Sequence, residues 1–84
     1  MKYALITFRS VTLAQKSESI LRNGGYRCGI QRTPRWMEEQ GCGYSVRISL
    51  PDVQNCVALL RDNRMSMRKV YLLRENGNAE ELTV

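Results

Sequence analysis

From Lys2 to Phe8 the chain alternates Tyr3, Leu5 and Thr7 with Ala4, Ile6 and Phe8. Both sets are largely apolar, as in a strand at the centre of a sheet. The period then changes. Ser10 is placed to cap a helix, and Val11, Ala14, Ser17-Glu18 and Ile20-Leu21 recur at helical spacing after it. Asn23-Gly24-Gly25 stops that helix, because glycine accepts the left-handed conformation a helix end needs. Tyr26 to Arg32 returns to a period of two, with Tyr26, Cys28 and Ile30 on one face and Arg27, Gly29 and Gln31 on the other. Tyr44 to Leu50 alternates cleanly: Tyr44, Val46, Ile48 and Leu50 point one way, Ser45, Arg47 and Ser49 the other. Pro51 suits a first helical turn, and Val53, Cys56, Val57 and Leu60 form an apolar stripe with Leu59 beside it. Asp62-Asn63-Arg64 ends this second helix, and Met67 to Arg74 reads as a last strand.

The predicted order is strand, helix, strand, strand, helix, strand, a rough repeat of one strand–helix–strand unit. Right-handed crossovers in both halves lead to an α+β, ferredoxin-like β-α-β-β-α-β sandwich: a four-stranded antiparallel sheet with two helices on one face. Residues 1–74 form the single domain of this reading. Residues 75–84, polar and acidic with Gly77 between two asparagines, read as a flexible polar tail.

One connection is too long for its task. Thr33 to Gly43 joins two antiparallel strands, where hairpin loops take about 2–5 residues. Compact domains keep such loops for use. The topology brings the loop's far end to the same edge as the end of the first strand and the start of the first helix. Cys42 is therefore expected near Arg9, Ser10 and the positive end of that helix. Arg35 lies in the loop, and Arg47 on the strand leaving it.

Composition narrows the picture. The chain has 84 residues, enough for one domain. No apolar run approaches the ~20 residues of a membrane span, and the apolar stretch at Met1–Ile6 is too short for a signal peptide, so the cytoplasm is the expected location. Residues 1–50 hold eight Lys/Arg and three Asp/Glu, and residues 51–84 hold five of each, so the net charge of +5 lies in the first part. That favours an anionic partner or a local thiolate.

The three cysteines, 28, 42 and 56, are odd in number and widely spaced, which argues against a disulfide framework. With no histidine in the chain, neither a zinc site nor a Cys–His pair is expected, and no cofactor is called for. Cys28 and Cys56 fall on apolar faces and read as small buried hydrophobes. Gly41-Cys42-Gly43 admits two readings. It is a turn opening a strand, or an unshielded sulfur in a basic setting that favours the nucleophilic thiolate. Trp36, supported by Met37, reads as an apolar peg holding the loop, and Thr33-Pro34 stiffens the exit from the second strand.

These residues carry a resemblance. Ile6-Thr7-Phe8 followed by Ser10, then Ala14, Glu18 and Leu21, Thr33-Pro34, Gly41-Cys42-Gly43 and Leu59-Leu60 resemble the family of small bacterial domains described as selenium/sulfur (Se/S) carrier protein-like. The likeness covers roughly residues 3–73, and the threonine–proline and glycine–cysteine pairs are its specific part. It implies that Cys42 carries sulfur or selenium as a persulfide or selenosulfide. In sulfur-relay carriers with a Cys-Pro motif proline follows the cysteine; here Gly43 does.

Three functions compete. In the first, Cys42 takes sulfur or selenium from a cysteine desulfurase-like donor and passes it to an acceptor protein. The chain is then a relay rather than a stand-alone enzyme, with Arg9, Ser10, Thr33, Pro34, Arg35, Gly41, Gly43 and Arg47 in support. In the second, the open sheet face binds RNA, with Tyr3 and Tyr71 as its stacking residues. In the third, the open face with Leu5 and Leu73 pairs with a second copy in a homodimer, as a regulatory module.

Overall fold

The structure, a computed structural model, describes residues 2–33, 43–73 and 79–82. It is an α+β arrangement of two α-helices and a five-stranded antiparallel sheet. The elements are β1 (Tyr3–Phe8), α1 (Val11–Asn23), β2 (Cys28–Arg32), β3 (Tyr44–Ser49), α2 (Val53–Asp62), β4 (Val70–Leu73) and β5 (Ala79–Leu82), with a 3₁₀ turn at Leu50–Asp52 leading into α2. The strand order is β2-β3-β1-β4-β5.

The fifth strand corrects the expectation of four. Part of the segment read as a flexible tail pairs antiparallel with β4, Val70 opposite Leu82 and Leu73 opposite Ala79. The register elsewhere is continuous. Tyr3 faces Ser49 and Phe8 faces Tyr44 across β1 and β3, and Cys28 faces Ile48 and Arg32 faces Tyr44 across β2 and β3.

Both helices pack on one face of this sheet. Ala4, Ile6 and Phe8 from β1, Val46 and Ile48 from β3 and Val70 from β4 share a buried cluster with Ala14 and Leu21 of α1 and Val53, Cys56, Val57 and Leu60 of α2. The α2 stripe read from the sequence is the one buried; in α1 Ala14, Ser17 and Leu21 are buried, whereas Val11, read as part of the same stripe, is exposed at the first turn. Each large member of the cluster contributes about 1.5–3 kcal/mol through removal of its apolar surface from water.

The helix ends follow from local chemistry. The Ser10 hydroxyl accepts from the Leu13 N–H at 3.3 Å, capping α1. At the other end Tyr26 N–H donates to Leu21 O and Gly25 N–H to Arg22 O, both at 3.0 Å, with Gly25 at φ 90°. This is the paired-bond ending that a left-handed residue makes possible. The end of α2 repeats it without glycine: Met65 N–H donates to Leu60 O and Arg64 N–H to Arg61 O, with Arg64 at φ 59°.

β2 is an edge strand, and α1 guards it. The Glu18 carboxylate accepts from the Ile30 N–H at 3.1 Å, and the Arg22 guanidinium donates to Cys28 O at 3.4 Å. Outward-facing backbone groups that could pair with another chain are thereby occupied. β2 begins at Cys28 rather than Tyr26, since Tyr26 is used to close α1.

β4 begins at Val70, not Met67, for a local reason. Arg68 N–H donates to Thr7 O, Thr7 N–H donates to Lys69 O, and Lys69 N–H donates to the Thr7 hydroxyl. Two residues of one segment therefore answer one residue of β1, the pattern of a β-bulge.

Candidate functional site at the β1–β3 strand end

Cys42, the residue on which the carrier reading turns, lies outside the described residues, as do Pro34, Arg35, Trp36, Met37 and Gly41. The residues that flank this segment are described, and they define where it leaves and rejoins the sheet.

Thr33 and Gly43 face each other across β2 and β3, with Thr33 N–H donating to Gly43 O at 3.0 Å. The Thr33 and Ser45 hydroxyls are 2.6 Å apart and buried. Thr33 thus does more than precede a proline: it joins the two ends of the long connection through one backbone bond and one side-chain bond. Ser45 was read only as an open-face residue. Its role was invisible to alternation alone, because alternation gives the face and not what covers it.

Phe8 is opposite Tyr44, so Arg9 and Ser10 follow at the strand end where Gly43 lies. Arg9 is exposed, and α1 starts there with no acidic residue in its first turn. The first-turn backbone N–H groups, which point out of the helix end, and their share of the helix dipole make such an N-terminus electropositive. The sequence reading missed three further cations at this end. Arg32 lies 5.9 Å over the Tyr44 ring. Arg68 and Lys69 are brought there by the bulge opposite Thr7, and Lys69 also pairs with Glu81 at 3.3 Å. The register of β4 on β1 is what places them, and a single sequence does not print that register.

Arg47 does not belong to this group. It sits opposite Leu5 and Gly29 within the sheet, with its guanidinium 4.7 Å from the centre of the Tyr3 ring. Four residues along a strand is about 13 Å. The alternation places it on the face away from the helices, and the separation is from Gly43, since Cys42 lies outside the described residues.

The other two cysteines are described. Cys56 is fully buried, as read from its stripe, and burial pushes its thiol up to about 12, with Asp52 and Cys28 adding smaller effects in the same direction. Cys28 is only half-buried, which corrects the expectation of a buried residue: it is on the edge strand, where one flank stays open. Its Sγ donates to Glu18 O at 3.5 Å. Partial burial raises its pKa, opposed by a hydrogen bond with Arg22.

The sheet face away from the helices is less open than its polar pattern implies. Leu5, Thr7 and Ser45 are buried there, while Tyr3, Tyr71 and Leu73 are half-buried. Among the described residues no group of acidic or cysteine side chains fits a metal ion, and no helix is long and apolar enough to cross a membrane.

The family model described as "Putative Se/S carrier protein-like" matches residues 2–72. The chain belongs to this family. No curated protein and no solved structure matches it. The matched span takes in every described element except Leu73 of β4 and all of β5, and it includes Cys42.

Proposed function

We propose that this Se/S carrier-like chain is a ferredoxin-like scaffold, extended by β5, that carries sulfur or selenium on Cys42 between two proteins. The strand order of β1 to β4 and the placement of both helices on one face support the scaffold reading. The observation that carries the functional one is the strand end itself: α1 begins beside Gly43, one peptide bond from Cys42, with Arg9 before it and no acid in its first turn. Such a field favours a thiolate and the anionic persulfide it would become.

The reaction needs no cofactor. The Cys42 thiolate attacks the outer sulfur of a donor persulfide. A new S–S bond forms on Cys42, the donor's S–S bond breaks, and the donor leaves as a thiolate. An acceptor thiolate then attacks the outer sulfur on Cys42, taking it and returning Cys42 to a thiolate. Both steps are exchanges, with no net oxidation. The partners are a donor of the cysteine desulfurase kind and a thiol-bearing acceptor.

Incubation with a cysteine desulfurase and cysteine tests this. The Cys42 peptide is expected to gain the mass of one sulfur, dithiothreitol to remove it, and Cys42→Ala to show no gain. A wild-type protein that stays unmodified with several donors, or a Cys42→Ala variant that loads equally, overturns the reading.

A further inference from the structure

Gly29 occupies the middle of β2, where glycine weakens a strand and needs a reason. Three ordinary reasons fail. Its φ is not positive, so no left-handed conformation demands it. The register runs unbroken from Cys28 to Arg32, so it marks no bulge. A Cβ built on it would meet nothing within 4 Å among the described residues, so none of those needs the room. The described residues leave open space over this position.

That space is shaped. A hollow of about 300 Å³ is lined by Gly29 with Tyr3, Arg27, Cys28, Arg47, Ile48 and Ser49. Tyr3, Arg47 and Ser49 share the sheet face away from the helices, by register and alternation with Gly29. Arg47 faces Gly29 across the strands but lies against the Tyr3 ring, 4.7 Å from its centre. The contact holds the guanidinium in one orientation before any ligand arrives, which lowers the entropy cost of using its fork of donors. Arg27 is exposed just before the same strand.

We propose that this hollow binds a small-molecule oxyanion, a carboxylate or a phosphate, lying on the Gly29 backbone between Arg47 and Arg27. Its volume is at the small end of ligand sites. Planar guanidinium groups match both oxyanions through paired hydrogen bonds. The site is separate from the strand end of Gly43: Arg47 lies four residue steps along β3 from it, roughly 13 Å. It stands whether or not Cys42 carries sulfur.

Amide NMR titration at fixed ionic strength, once with inorganic phosphate and once with succinate, tests it. Saturable shifts at Gly29 and Arg47 are expected from at least one of the two at millimolar concentration; which one responds assigns the phosphate or carboxylate class. Arg47→Gln is expected to weaken binding about tenfold, as loss of one charge-assisted pair does. Gly29→Val, which suits a strand and fills the hollow, is expected to abolish it, with the melting temperature of both variants close to wild type. No saturation with either anion, or unchanged titration in Gly29→Val and Arg47→Gln, overturns the proposal.

Discussion

The Thr33 and Ser45 hydroxyls meet at 2.6 Å in a buried position, one before and one after the longest connection in the chain. Each leaves the other as its partner. Ser45→Ala removes one hydroxyl and strands the other, which costs about 1–3 kcal/mol when a buried polar group is left unpaired. Thr33→Val with Ser45→Ala removes both, and is expected to cost less than the sum of the single changes. Denaturant unfolding of the four proteins checks it. Strict additivity would mean that the pair is not coupled.

Ser17 is the converse case. It lies on the buried stripe of α1, is fully buried, and its hydroxyl has no partner among the described residues. Ser17→Ala removes an unsatisfied polar atom and adds the best helix former. A rise in stability of about 1 kcal/mol is expected by thermal and urea unfolding. A loss of stability would show that the hydroxyl has a use the apolar stripe hides.

Ser17 and Ser45 show where sequence reading stops. Alternation at Ala4, Ile6 and Phe8, and helical spacing at Ala14, Cys56 and Leu60, were enough to find the core, because burial on one face leaves a period in the chain. The Ser10 cap and the Gly24-Gly25 stop were legible for the same local reason. β5 was not, since Glu80 and Glu81 are poor strand formers and the strand exists through backbone bonds to β4. At the candidate site, Arg9, Ser10, Thr33 and Gly43 were legible from topology. Arg32, Arg68 and Lys69 were not, because bulge and register bring them there. Arg47, four residues on from Gly43, lies well along β3, a separation that sequence spacing alone does not convey.

The two helix ends give a matched comparison. Gly25 at φ 90° and Arg64 at φ 59° hold the same left-handed position after their helices. Only glycine takes that position without a steric cost. Arg64→Gly is expected to be stabilising by about 0.5–1 kcal/mol, and Gly25→Ala destabilising by about 1 kcal/mol. Gly24→Ala meets a different and milder obstacle, since its Cβ would lie 2.8 Å from Leu59 Cδ2, the end of a half-buried side chain that must shift where α1 ends against α2. Melting temperatures of the three variants rank them, and a Gly25→Ala protein as stable as wild type would remove the conformational argument.

The thiols provide the last prediction, and its sign can be worked out. Burial holds the Cys56 thiol neutral up to about 12, whereas its starting value is 9.0. The unfolded chain therefore gives up this proton at lower pH than the folded one. Above pH 9 the unfolded state binds fewer protons, so stability falls with rising pH through the interval from 9 to about 12, and is fully present below it. Cys28 adds a loss of the same sign, since its pKa is also raised. Cys56→Ala is expected to flatten the alkaline fall while costing stability at neutral pH through the smaller side chain. The same two environments make both thiols slow nucleophiles near pH 7, as thiolate is the reactive form. Timed alkylation of the native protein at pH 7 is thus expected to place the first adduct on Cys42, with Cys28 later and Cys56 only on unfolding. Peptide mass spectrometry reads the order directly. A first adduct on Cys28 would mean that the raised pKa of that residue is not what limits its reaction, and would count against Cys42 as the activated thiol of this strand end.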